Sequence, residues 1–129
     1  MNLAALQFLC ASLNVKTLSY SLARKDIIKY GFRELAEKNN AFCSVFGYRD
    51  DPHSVRYQIF YNARLPEEEI KYAIAQELGH IVLGHIVVHG GLDKITSEMR
   101  GRACQFADLL LRIYPYPYVL SYVDAEESE

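Results

Sequence analysis

Apolar residues recur at three- and four-residue steps at the start of the chain: Leu3, Leu6, Leu9, Cys10 and Leu13. That spacing predicts an amphipathic helix. A rougher stripe follows in "SLARKDIIKYGFRELAEKN", where Leu22, Ile27, Ile28, Phe32, Leu35 and Ala36 stand among charges. It predicts a second helix, with Gly31 as the point where it would break. The period then changes. "AFCSVFGY" and "VRYQIFYN" are rich in β-branched and aromatic residues and flank the turn-forming cluster "RDDPHS". Two antiparallel strands joined by a loop are predicted, with His53 solvated in the loop. In the second strand Val55, Tyr57, Ile59 and Tyr61 alternate with Arg56, Gln58, Phe60 and Asn62, giving one apolar face and one mixed face.

A long helix is predicted over "LPEEEIKYAIAQELGHIVLGHIVVHGG". Pro66 suits its first turn, Glu67, Glu68 and Glu69 favour the positive end of its dipole, and Gly90-Gly91 would stop it. Thr96 or Ser97 caps a last helix with the stripe Met99, Ala103, Phe106, Leu110 and Ile113. Pro115 and Pro117 end that helix, and "YPYPYVLSYV" is expected to pack as an irregular or short extended segment. The order helix, helix, two strands, long helix, helix reads as α+β.

Composition narrows this picture. A chain of 129 residues, 50% hydrophobic, can bury one core and is too short for two domains, so residues 1–129 read as a single domain. The net charge of −2 is spread without a basic stripe, which argues against direct nucleic-acid binding. The acidic tail "DAEESE" reads as a solvated terminus. The three cysteines, Cys10, Cys43 and Cys104, form no CxxC pair and read as small buried hydrophobes in a reducing compartment. The apolar opening lacks a preceding basic residue and falls short of the roughly 20 residues that span a bilayer. A cytoplasmic protein with no membrane partner is expected.

The chemistry concentrates in the long helix. H-E-x-x-H places two histidines one turn apart on one helix face, within reach of a single zinc ion, with the glutamate beside them as base for the metal-bound water. Here the residues are Gln76-Glu77-Leu78-Gly79-His80. Gln76 offers only a neutral amide oxygen, a weak zinc ligand beside imidazole. His85 and His89 are four apart, and a site built on His80, His85 and His89 is an alternative grip.

"AxELGHIVLGH", after strands ending in "YN" and before "ACQFADLLLR", resembles the ImmA/IrrE family of zinc metallo-endopeptidases, most clearly over residues 41 to 113. In the second motif the matching residues are Ala103, Phe106, Ala107, Leu109 and Leu110, continued by Leu111-Arg112. The resemblance implies a small zincin-like (minigluzincin) domain with N-terminal helices and an antiparallel hairpin or small sheet. Its long active-site helix would have the following helix packed on it. It also implies Glu77 as general base, His80 as second zinc ligand, and His85 as a residue that supports the site.

The departures matter as much. Gln76 occupies the first-ligand position. A glutamate expected shortly before Ala103 is replaced by Arg100 and Arg102, and arginine cannot ligate a cation. Glu98 is the nearest carboxylate and would serve only from a displaced position. Arg100 or Arg102 pairing with Glu77 would fill the vacated site. The resemblance with these replacements implies a degenerate member with zinc absent or weakly held, binding a protein partner such as a helix-turn-helix repressor of a phage or mobile element. The alternative is an active zinc endopeptidase that cleaves such a repressor.

Overall fold

The computed structural model describes residues 1–48, 50–86 and 95–113. Helix α1 (Leu3–Ser12) leads through Asn14, at φ 62°, into strand β1 (Val15–Ser19). Two short helices, α2 (Arg24–Lys29) and α3 (Arg33–Lys38), precede β2 (Ala41–Tyr48) and β3 (Asp51–Tyr61). Helices α4 (Glu67–Val82) and α5 (Ser97–Ile113) complete an α+β arrangement. Among the described residues no helix is long and apolar enough to cross a membrane.

The three strands form one sheet in the order β1-β3-β2. β2 and β3 are antiparallel, as their pattern predicts, and Ala41 faces Tyr61. β1 was not legible in the hydropathy pattern; it pairs parallel to β3, with Val15 opposite Tyr57 and Leu18 opposite Phe60. Five residues with two buried positions carry little periodic signal, and pairing with β3 supplies the order that propensity does not. β3 also begins earlier than expected. Asp51 to Ser54, the expected turn, already belong to it, and the Ser54 hydroxyl closes the hairpin by accepting from the Tyr48 amide at 2.7 Å.

As the central strand, β3 is covered on both faces. Ile59 and Phe60, adjacent in sequence, are both fully buried. Ile59 enters the larger core with Leu6, Cys10, Ile74, Leu78 and Ala107, contributed by α1, α4 and α5. Phe60 enters a smaller aromatic core under α2 and α3, stacked on Phe42 with ring centroids 5.0 Å apart. The "mixed" face is therefore a second core face, too short to announce itself as one.

Two glycines end helices by the same device. Gly31 (φ 74°) and Gly84 (φ 75°) adopt the left-handed conformation just past α2 and α4. After Gly31 the Phe32 amide returns to the Ile27 carbonyl at 2.8 Å, throwing the Phe32 ring into the aromatic core. The predicted second helix is thus two helices. After Gly84 the His85 amide returns to the His80 carbonyl at 2.9 Å. α4 therefore ends at Val82, well before Gly90-Gly91, because the first glycine that can take positive φ closes the turn. Gly90-Gly91, His89 and "YPYPYVLSYV" lie outside the described residues.

Gly79 has a different task. A Cβ there would lie 3.0 Å from Phe106 Cδ1, 3.2 Å from the Ala103 carbonyl oxygen and 3.3 Å from Ala103 Cα. The missing side chain lets α5 lie directly on α4. Thr96 starts α5 as expected, its hydroxyl accepting from the Met99 amide at 3.2 Å. Gly79→Ala should destabilise the fold by about 1–3 kcal/mol, the usual range for overpacking. Urea unfolding of the two proteins measures it, and an unchanged midpoint contradicts the close approach.

Candidate functional site

α4 crosses the sheet beside β2, an edge strand among the described residues, and a groove runs between them. Its upper part, about 560 Å³, is lined by Gln76, Glu77 and His80 from α4, by Asn39, Ala41 and Phe42 at the start of β2, and by Ile95 and Arg100. The lower part, about 580 Å³, continues along Tyr72 and Ala73 past Lys38 and Asn40. Asn39, Ala41, Gln76 and Glu77 line both parts, so one channel passes the centre of α4. Gln76, Glu77 and His80 share the groove because residues three and four apart lie on one helix face.

Glu77 is half-buried, and burial pushes its carboxyl up to about 8. Among the described residues no opposing cation enters that balance. Its nearness also raises the Cys43 thiol and the Tyr20 phenol, both held up chiefly by their own burial. Near neutral pH the carboxyl thus stays largely protonated, able to donate a hydrogen bond to a carbonyl as well as to accept one.

His80 is only 4% exposed. The turn closed by Gly84 folds His85 onto it, with the two Nδ1 atoms 3.0 Å apart. One ring carries its proton on Nδ1 and donates to the other. Burial first, then His85, then Arg100 push the His80 pKa down, so the ring stays neutral.

The arginines divide. Arg100 stands at the rim of the groove, where its charge is felt by His80. Arg102 points away and pairs with Glu98 at 2.8 Å on the exposed side of α5. Neither arginine forms an ion pair with Glu77, contrary to the pairing expected for a vacated site; one turn of α5 cannot turn both side chains inward. Glu98, the displaced ligand candidate, is engaged by Arg102 and does not line the groove. Among the described residues no three His, Cys, Asp or Glu side chains converge as a metal site.

Comparison with family models, curated proteins and solved structures finds no match to this chain. Of the residues that the sequence order suggested, Gln76, Glu77, His80 and Arg100 line one groove, and Glu98 and Arg102 do not. The β2 wall of the groove carries no signal in the motif, while His85, which the resemblance implies as a supporting residue, is folded onto His80 by the turn closed at Gly84.

The raised carboxyl has a signed consequence. Between the ordinary Glu pKa and about 8 the folded state holds a proton that the unfolded state has lost, so stability falls as pH rises through that window. Glu77→Gln should remove the slope and stabilise the protein at pH 9 by on the order of 2–3 kcal/mol. Unfolding midpoints of both proteins from pH 5 to 9 check this; parallel curves exclude a buried, proton-holding Glu77.

Proposed function

We propose that the chain is a zincin-like domain that no longer depends on zinc and acts by binding a protein partner in the groove between α4 and β2. The observation that carries the reading is the donor set of that groove: an amide at Gln76, a carboxyl at Glu77, one buried imidazole at His80 and the guanidinium of Arg100 at the rim. This set is a poor fit to zinc, which takes three protein donors of imidazole, thiolate or carboxylate type. A guanidinium repels a dication and offers no lone pair.

The groove suits an extended peptide. Among the described residues β2 is an edge strand, with β3 on one side only, and such an edge favours strand addition by a partner segment. Asn39 and Gln76 can hydrogen-bond a main chain laid along the channel. In this reading a repressor of the helix-turn-helix kind, from a phage or mobile element, is held without being cut.

The test is joint. The purified chain should carry far less than one zinc per molecule, and Gln76→His alone should not bring zinc to stoichiometry. Peptides selected against the chain from a random display library should bind in extended form, and Gln76→Trp, which fills the groove, should abolish that binding. Stoichiometric zinc together with peptide hydrolysis lost in Glu77→Gln would establish the endopeptidase instead. Selected peptides indifferent to Gln76→Trp would place the binding surface elsewhere.

A further inference from the structure

Among the described residues the far face of the sheet is only half roofed. α2 and α3 cover Phe42 and Phe60, and the register sets Lys16, Gln58 and Ser44 side by side as the next row on that face. Phe46 and Arg56 form the row beyond. Over these rows lies a hollow of about 620 Å³, walled on its helix side by Asp26 and Tyr30 and at one end by Asn14. Ala11, Val15 and Tyr57 complete the lining beside the larger core, and no lining residue is shared with the groove at Glu77.

The hollow sorts its chemistry. Tyr30, 45% exposed, meets the Phe46 ring edge-on at 5.1 Å between centroids, and Lys29 Nζ lies 5.3 Å from the Tyr30 ring centre. This is an aromatic wall with cationic character nearby. Lys16 and Arg56 are both exposed, and among the described residues neither has a carboxylate partner within 4.0 Å. The Arg56 guanidinium reaches only the carbonyls of His53 and Val55, at 3.4 and 3.3 Å. Gln58 and Asn14 add amides, and Asp26 is the one carboxylate in the lining.

We propose that this hollow binds a mononucleotide. A planar aromatic ring lies against Tyr30 and Phe46, where stacking is tolerant of base identity. The phosphate sits between Arg56 and Lys16, two cations with no carboxylate partner among the described residues. Gln58 and Asn14 meet the base edge, and Asp26 accepts from the ribose hydroxyls. A hollow of this size takes one such ligand and leaves no track for a strand.

Titration of the full chain with AMP, GMP, CMP and UMP, followed by backbone amide shifts, tests it. At least one should bind saturably below about 1 mM, a modest affinity for so open a site, and shift Lys16, Tyr30, Phe46, Arg56 and Gln58. Inorganic phosphate and the matching nucleoside should each bind at least about tenfold more weakly, since each lacks half of the recognised chemistry. Lys16→Ala with Arg56→Ala should weaken binding by a similar factor at an unchanged melting temperature, and Glu77→Gln should leave it intact. No shifts at these amides overturns the proposal. So does phosphate binding as tightly as the nucleotide, binding indifferent to the double substitution, or a short single-stranded RNA bound far more tightly than any mononucleotide.

Discussion

The architecture turns on the absence of a side chain at Gly79. Because nothing projects there, the Ala103 backbone and the Phe106 ring of α5 lie against the α4 backbone. That contact fixes the rotation of α5, and rotation decides which residues one turn earlier face inward. Arg100 is carried to the groove rim, while Glu98 and Arg102 are left to pair with each other in solvent. A larger residue at Gly79 would push α5 outward and widen the space around His80. The composition of the groove is thus a consequence of helix packing as much as of the residues that line it.

Within the groove, desolvation governs the chemistry. The Glu77 carboxyl is pushed up and His80 is pushed down, so both neutral forms are favoured in the same small space. Arg100 contributes to holding His80 neutral without reaching Glu77 closely enough to pair with it. The His85 ring takes the hydrogen-bonding capacity of His80 Nδ1 that burial would otherwise leave without water. Neutral donors and acceptors at Gln76, Glu77 and His80 thus stand at the centre of the channel, with the Arg100 guanidinium at one end and Lys38, Glu68 and Glu69 at the other.

β3 links this groove to the hollow on the other side. Its neighbours Ile59 and Phe60 anchor separate cores, and the two covers differ in extent. α4 and α5 are long and lie across one face, whereas α2 and α3 have six residues each and, among the described residues, do not reach the far rows. The two surfaces differ accordingly: one is centred on the half-buried Glu77 and buried His80 of a helix face, the other on strand side chains whose cations Lys16 and Arg56 have no carboxylate partner among the described residues.

Much of this was written in the chain itself. Helical spacing located α1, α4 and α5, β-branched and aromatic runs located β2 and β3, and Q-E-L-G-H put Glu77 and His80 on one helix face, because these features depend on period and local propensity alone. Gly31 marked a break that local conformational freedom explains. Tertiary structure decided the rest. β1 exists because β3 offers it a partner, and Phe60 is core because two short helices happen to cover it. The helix end moved from Gly90 to Gly84, since an earlier glycine can close the turn and return His85 to His80. Which arginine faces the groove depended on the rotation of one helix against another, a relation between distant segments to which no local spacing refers.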